Sequence, residues 1–283
     1  MSKYTYQPLD RPNSEFRLLK ISKDPLTHQP QCTLQKYNLI DCPRYTALSY
    51  TWGEAAPTHS AAVEGANIEV RQNLFDFLHA YTTEVWGSAD TEKPVFYWID
   101  QICINQEDLV ERSDQVRIMN KIYEHAKYVL VWLGCDSSML EAARQLRDEK
   151  DDDGWAIATL LAHPYFSRVW IVQETMLSVN SPLITCGGIE LDWYCVALAS
   201  IMAEPKQSLP LAACFTIHGY DRVRERRTLQ YFIRFHCGSK CHDPRDKVYG
   251  LLGLTPERWR VRVDYTKEVL EVYFDAVAAL FEE

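Results

Sequence analysis

No run of eighteen or more apolar residues occurs in the sequence, and its first nineteen residues contain no apolar signal region. We therefore expect neither a membrane-spanning helix nor a secretory signal peptide. Positive charge is also scarce, since 39 acidic residues against 30 Lys and Arg give a net charge of −9. A protein with this balance is not expected to bind nucleic acid or anionic membranes in general. The basic run at 222–227 is typical of a solvated helix face.

The sequence also lacks a nucleotide-cofactor fingerprint and a regular cysteine framework. Without G-x-G-x-x-G or a P-loop, neither a Rossmann cofactor nor a kinase-like nucleotide site is expected. Nine cysteines, an odd number, predict reduced and mostly buried thiols, and we expect a cytoplasmic protein. Four side chains of zinc-ligand type fall within seven residues, but their spacing does not match paired zinc knuckles, so we expect no metal at His236, Cys237, Cys241 and His242.

The chain is long and apolar enough for a large core. Its 283 residues are 47% hydrophobic, which suits one large domain or a core domain with an elaboration. Alternating residues at 15–21 and 32–39 predict two strands that form a hairpin at the sheet edge, within an extended segment 1–44. We expect a core domain at 45–190 and a mainly helical elaboration at 191–283.

Two buried strands are predicted to end in polar residues. The run YTALSYTWG at 45–53 is strand-forming and ends at Gly53, which places Ser49 and Trp52 at the rim of an open α/β sheet. The alternative for Trp52 is a core anchor. The run VFYWI at 95–99 is followed directly by Asp100, which is either a ligand contact or a cap.

Apolar residues from Val116 to Ala126 keep helical spacing, and a further apolar run at 128–133 predicts a strand. Together with the run at 95–99 they form a strand–helix–strand unit. Such a unit implies a parallel sheet.

A single carboxylate lies inside the apolar stretch FSRVWIVQETML at 166–177. Ser167 is predicted to cap a helix that begins at Arg168, with Trp170 and Glu174 one turn apart. Because an isolated buried carboxylate is unfavourable, Glu174 is either paired with a cation such as Arg168 or kept for chemistry. Further on, Asp243-Pro-Arg-Asp predicts a helix start in which a structural salt bridge is expected for Arg245, with a contact to the site as the alternative. A last helix is expected from about Thr266.

Four motifs together resemble the fungal heterokaryon-incompatibility (HET) domain. They are YTALSYTWG, the segment from FYWIDQ to VLVWLG, FSRVWIVQE and DPRDKVYGLLGL. The resemblance implies a role in programmed cell death after non-self recognition, with an upstream recognition protein or domain.

The order of elements is also similar, more distantly, to the TIR domain. Ser167, Trp170 and Glu174 resemble the TIR pattern of Ser, Trp and Glu, with the Trp-to-Glu spacing preserved and the Ser-to-Trp gap one residue longer. The resemblance implies a flavodoxin-like, mostly parallel sheet flanked by helices, activity as a homo-oligomer, and Glu174 as the catalytic residue of NAD⁺ cleavage. NAD⁺ is then a substrate, and no cofactor is expected. The substrate-binding candidates are Ser49, Trp52, Gly53, Asp100, Arg168 and Trp170.

One carboxylate suffices for that reaction, because nicotinamide leaves as a neutral molecule and needs no general acid, unlike the leaving group of an ordinary glycoside. A carboxylate close to the ribose stabilises the oxocarbenium-like centre. Two other hypotheses remain. One is a non-enzymatic death-signalling module that acts by self-association, and the other is a zinc-dependent binding module.

Overall fold

A nine-stranded mixed sheet forms the centre of the protein. The computed structural model describes residues 2–10, 14–56, 58–83, 95–151, 153–202 and 228–282. The strands are β1 (Glu15–Lys23), β2 (Pro30–Asn38), β3 (Thr46–Tyr50), β4 (Thr58–Val63), β5 (Ala66–Arg71), β6 (Tyr97–Trp98), β7 (Tyr128–Trp132), β8 (Leu183–Cys186) and β9 (Ile189–Asp192). The basic run at 222–227 lies outside the described residues.

Helices connect and cover these strands. They are α1 (Gln72–Thr82), α2 (Asp100–Cys103), α3 (Leu109–His125), α4 (Ser137–Arg147), α5 (Trp155–Leu161), α6 (Trp170–Met176), α7 (Trp193–Met202), α8 (Leu229–His236), α9 (Asp246–Leu252) and α10 (Val269–Glu282), with 3₁₀ turns at Pro164–Ser167 and Glu257–Trp259. In the described ranges, none of these helices has the length and apolar character needed to cross a membrane.

The sheet is parallel only in part. Its order is β5-β4-β2-β1-β6-β3-β7-β8-β9. The four strands β6, β3, β7 and β8 are parallel neighbours, and they stand in the chain order 2-1-3-4 that flavodoxin-like sheets use. Of the eight neighbouring pairs, four are antiparallel, so the prediction of a mostly parallel sheet was wrong. The reason is that three pairs are hairpins, whose short connections force antiparallel pairing.

The N-terminal hairpin was predicted correctly, but its position at the sheet edge was wrong. Strands β1 and β2 pair along nine residues, and β4 then adds beside β2. Strand β4 was missed because its residues are small and polar. It pairs with β5 through the two-residue turn Glu64-Gly65, where both residues have positive φ. This is the backbone that a tight two-residue hairpin prefers, and the added hairpin covers the edge of β2.

The two faces of the sheet are covered by different helices. In β6, Tyr97 and Trp98 point to opposite faces, as successive strand residues do. The Tyr97 ring packs against Phe77 of α1, while the Trp98 ring packs against Tyr123 of α3. Strand β6 is shorter than the predicted strand at 95–99, and Val95 is exposed. Strand β3 is buried along its whole length between these layers.

Helix α6 begins two residues later than predicted, and Ser167 does not cap it. The Ser167 hydroxyl donates instead to the carbonyl of Pro164 at 2.8 Å, because residues 164–167 form a 3₁₀ turn. The next backbone groups pair with a distant segment, since Val169 N–H donates to the carbonyl of Lys240 at 2.9 Å. The N-terminus of α6 is thus fixed by tertiary contacts.

Strand β9 crosses the predicted boundary at residue 190, and the described elements that follow it are helical. Arg245 forms the predicted structural ion pair, with Asp243 at 2.8 Å, and also donates to two backbone carbonyls. The last helix, α10, begins at Val269, three residues beyond the predicted start.

The eight cysteines that the structure describes are free thiols, but only Cys32, Cys103 and Cys186 are buried, so the prediction of mostly buried thiols was wrong.

Candidate functional site

The carboxylate of Glu174 lies at the carboxyl-terminal part of the central strand β3. Glu174 is 2% exposed, and the Ser49 hydroxyl donates to its Oε2. A serine hydroxyl has one hydrogen, so the hydroxyl of Tyr165, 2.8 Å from Ser49 Oγ, is the donor to Ser49. A buried chain of two hydroxyls therefore ends on the carboxylate.

Arg168 provides the cation that accompanies Glu174. Its Nη2 lies 3.4 Å from Glu174 Oε1, and its side chain is 18% exposed against 3% for Glu174. The buried Nη1 has no hydrogen-bond partner among the described residues. The ion pair anticipated from sequence is therefore present.

Asp100 adds a second carboxylate to this cluster. It is the first residue of α2, and its Oδ1 accepts from the backbone N–H of Gln101 at 2.7 Å. Its Oδ2 accepts from the indole N–H of Trp52 at 2.9 Å. Asp100 is therefore the first residue of α2 and not its cap, which is Ile99, and its carboxylate belongs to the cluster around Glu174.

Burial and mutual charge set the electrostatics of the cluster. Burial raises the pKa of Glu174, and the Arg168 guanidinium and the Ser49 hydrogen bond oppose that rise. Burial likewise raises the pKa of Asp100, and the Arg168 guanidinium is the group that opposes this rise most strongly. Burial alone would lower the pKa of Arg168, but Glu174 and Asp100 outweigh it, so the pKa is raised. Two carboxylates thus share one guanidinium, which favours a cationic ligand.

Trp52, Gly53 and Arg71 form the rim of this cluster. Gly53 has a φ of +75° and open space where a side chain would begin. Its carbonyl accepts from Arg71 Nη1 at 2.8 Å, and the guanidinium carbon of Arg71 lies 5.2 Å from the Trp52 ring centroid. The sequence did not identify Arg71 as a site residue, because a single arginine between a strand and a helix belongs to no motif with a characteristic spacing.

Trp170 points away from Glu174, although the two residues are one helical turn apart. Its indole N–H donates to Asp246 Oδ2 at 3.1 Å, and its ring lies against Gly250 of α9. Asp246 also accepts from the hydroxyl of Tyr265 at 2.6 Å. The structure therefore brings together Ser49, Trp52, Asp100, Arg168 and Glu174, with Gly53 at the rim, and places Trp170 in the contact between α6 and α9.

Two other features of the described residues differ in chemistry from the Glu174 cluster. Among the residues that the structure describes, no group of three or more His, Cys, Asp or Glu side chains is arranged to hold a metal ion. A small apolar cavity lies beside α5 and α7, and none of its lining residues is titratable at neutral pH; they are Leu161, Phe166, Trp193, Val196, Ala197 and Ser200. Neither feature therefore adds titratable groups to the cluster around Glu174.

Residues 45–174 match the model of a family described as heterokaryon incompatibility protein (HET). The matched segment contains all seven site residues predicted from sequence and ends at Glu174. The chain is also similar to "Heterokaryon incompatibility protein 6, OR allele" of Neurospora crassa, with 26% identity over 366 aligned positions that cover 99% of this chain and 54% of the relative. The chain thus spans about half the length of this relative. No solved structure matches it significantly.

Proposed function

Because residues 45–174 match the heterokaryon incompatibility (HET) family, we propose that the chain is a cell-death effector that acts as an NAD⁺ nucleosidase. The observation that carries the proposal is the buried Glu174 carboxylate, held by Ser49 and Arg168 at the carboxyl-terminal part of a central parallel strand. In open α/β sheets, ligands bind at this edge, where the strand order reverses.

The chemistry of the bond between nicotinamide and ribose explains why one carboxylate is sufficient to promote its cleavage. Nicotinamide is bonded to ribose as a cationic pyridinium and leaves as a neutral molecule, taking the bonding electron pair. The positive charge then develops on the ribose. A fixed carboxylate in a site that excludes water stabilises that charge strongly, and water completes the hydrolysis at the same carbon. In this scheme Glu174 must be ionised.

The neighbouring groups suit the rest of the substrate. Trp52 offers an aromatic face beside Asp100, and aromatic faces and carboxylates both attract a cationic ring. Glu174 itself is almost fully buried, and Arg168 is the more exposed partner of the ion pair. The proposal therefore requires Arg168 to move when a ribose approaches. Assembly into a homo-oligomer, in response to an upstream recognition protein, is the proposed trigger of that movement.

A second candidate function is a non-enzymatic module that acts by self-association. The observation that favours it is an exposed apolar stripe on α10, at helical spacing, formed by Leu270, Phe274, Val277 and Phe281. In that case the Glu174 cluster only stabilises the fold.

The two functions are separated by Glu174→Gln, which keeps the shape of the side chain and removes its charge. The nucleosidase proposal predicts that the folded variant neither releases nicotinamide from NAD⁺ nor kills cells. A folded variant that remains lethal favours self-association. Glu190→Gln, a partly buried position on β9, is the matched control and should keep both activities.

A further inference from the structure

Arg71 carries a positive charge that the described part of the chain does not neutralise. No carboxylate in the described ranges lies within salt-bridge distance of its guanidinium, in contrast to Arg168, which is paired with Glu174. Its polar contact is a neutral carbonyl, that of Gly53, and its flat face lies over the Trp52 ring. In a protein with a net charge of −9, an unpaired arginine at the rim of a carboxylate cluster is a local binding feature for anions.

The position of Arg71 is fixed relative to the cluster. The Trp52 ring beneath it donates through its indole N–H to Asp100, and the backbone N–H of Arg71 faces the side-chain oxygen of Gln101 at 3.5 Å. Asp100 in turn interacts electrostatically with Arg168 and Glu174. Contacts therefore run from the half-buried cation Arg71 through Trp52 to Asp100, and electrostatic interactions link Asp100 to Arg168 and the buried Glu174.

The phosphates of a dinucleotide need a cation other than Arg168. Arg168 is one of the substrate-binding candidates, but its guanidinium is largely buried and is paired with Glu174 beside Asp100. A doubly charged pyrophosphate placed there would lie against both carboxylates, and like charges at short range repel. Arginine at an accessible rim binds phosphate oxygens through parallel N–H donors.

We propose that Arg71 binds the pyrophosphate of the dinucleotide and so makes the site prefer dinucleotides to nicotinamide nucleosides. This inference rests on the proposed nucleosidase function. In this arrangement the cationic nicotinamide end of the substrate lies toward Asp100 and Glu174, and the anionic pyrophosphate is bound by Arg71.

The test uses the full chain and three variants, Arg71→Gln, Arg71→Lys and the control Arg258→Gln. Arg258 lies over the ring of Trp259 at 4.2 Å, which is the same type of stacking outside the Glu174 cluster. Binding of ADP-ribose, which has the pyrophosphate and no nicotinamide, is measured by calorimetry. Nicotinamide release is measured with NAD⁺ and with nicotinamide riboside, which has no phosphate.

We expect Arg71→Gln to weaken ADP-ribose binding by about tenfold to hundredfold, the worth of a hydrogen bond between charged groups. The KM for NAD⁺ should rise by a similar factor at unchanged kcat, whereas the kinetics with nicotinamide riboside should not change. Arg71→Lys should recover part of the loss, and Arg258→Gln should behave like wild type.

The failures of the two proposals are distinguishable. If wild type binds no ADP-ribose, or if Arg71→Gln binds it as well as wild type does, Arg71 is not the phosphate-binding residue, even where NAD⁺ is cleaved. If ADP-ribose binds through Arg71 but no nicotinamide is released, the nucleosidase function fails and the assignment of Arg71 stands.

Discussion

Ser49 and Glu174 are 125 positions apart in the chain, and the hydroxyl of the first donates to the carboxylate of the second. This hydrogen bond joins the end of β3 to α6 within the HET segment. Burial raises the pKa of Glu174, and this hydrogen bond opposes that rise after the larger effect of the Arg168 guanidinium. The orientation and the charge of Glu174 therefore both depend on Ser49.

Replacing Ser49 with alanine should move the pH dependence of NAD⁺ cleavage. Burial already raises the pKa of Glu174, and loss of the Ser49 donor raises it further. Because the ionised carboxylate is the active form, activity is lost as pH falls through this pKa, so the acidic limb of the kcat profile should move to higher pH. The loss of one hydrogen bond to a charged group corresponds to a shift of about one to two pH units.

The control for that measurement is Ser113→Ala on α3, where a buried hydroxyl bonds only to backbone groups. It should lower the stability without moving the acidic limb. An unchanged limb in Ser49→Ala would show that Glu174 does not titrate in the reaction.

Trp170→Phe should affect stability rather than substrate binding. The substitution removes the N–H that donates to the buried Asp246, and it should lower the free energy of unfolding by about 1.5–3 kcal/mol. Trp155→Phe, at an exposed position, should change it by less than about 0.5 kcal/mol. Urea unfolding and the KM for NAD⁺ are the measurements, and a raised KM in Trp170→Phe at unchanged stability would return Trp170 to the substrate site.

Gly253 permits the close approach of α9 to α3 and α6. A Cβ at this position would lie 2.7 Å from the Cβ of Asn120 and 2.1 Å from Oε1 of Gln173. Gly253→Ala should therefore destabilise the protein by about 1–3 kcal/mol, as overpacking does. At Gly250 the nearest atom, on Val169, is 3.2 Å away, so Gly250→Ala should cost clearly less. Thermal unfolding of both variants measures this, and equal losses would contradict the packing described.

His163 should make the protein sensitive to acid. Burial lowers its pKa to about 4, whereas an unfolded histidine takes up a proton near 6.5. The unfolded state therefore binds more protons between these values, and stability falls as pH decreases through this window, by up to about 3 kcal/mol. His163→Asn retains an acceptor for the backbone N–H of Tyr165 and removes the titration, so its stability should depend less on pH.

His125→Asn, at an exposed position, is the control for the acid measurement and should follow the wild-type curve. Chemical unfolding between pH 4 and 7 compares the three proteins. Superimposable curves for wild type and His163→Asn would show that His163 is not buried as described.

The parts of the fold that sequence predicted are those with strong local patterns. The apolar runs at 95–99 and 128–133, which became β6 and β7, and the helical spacing of α3 identified the strand–helix–strand unit and placed Asp100 at a strand end. The strand-forming run that became β3 placed Ser49 near another strand end. Because those ends meet at one edge of a parallel sheet, their closeness to Glu174 followed once α6 was recognised.

The parts that sequence missed are set by tertiary contacts. The start of α6 depends on Lys240, which is distant in the chain, so local capping rules placed it too early. Strand β4 was missed because its apolar residues are few and its pairing with β2 is long-range. The position of the Trp170 side chain is set by its hydrogen bond to Asp246, which is distant in the chain. Helical spacing alone therefore could not show that Trp170 and Glu174 contact different partners.

The central claim is that the Glu174 carboxylate cleaves NAD⁺, and its most direct test is nicotinamide release by concentrated, assembled protein. Wild type is compared with Glu174→Gln, and circular dichroism and unfolding curves confirm that both are folded. The account predicts turnover in wild type and a loss of at least about a hundredfold in the variant, the effect of removing one group that stabilises developing charge. Equal turnover in both proteins would remove Glu174 from the reaction. Absence of turnover in both, with both proteins folded and assembled, would contradict the nucleosidase function.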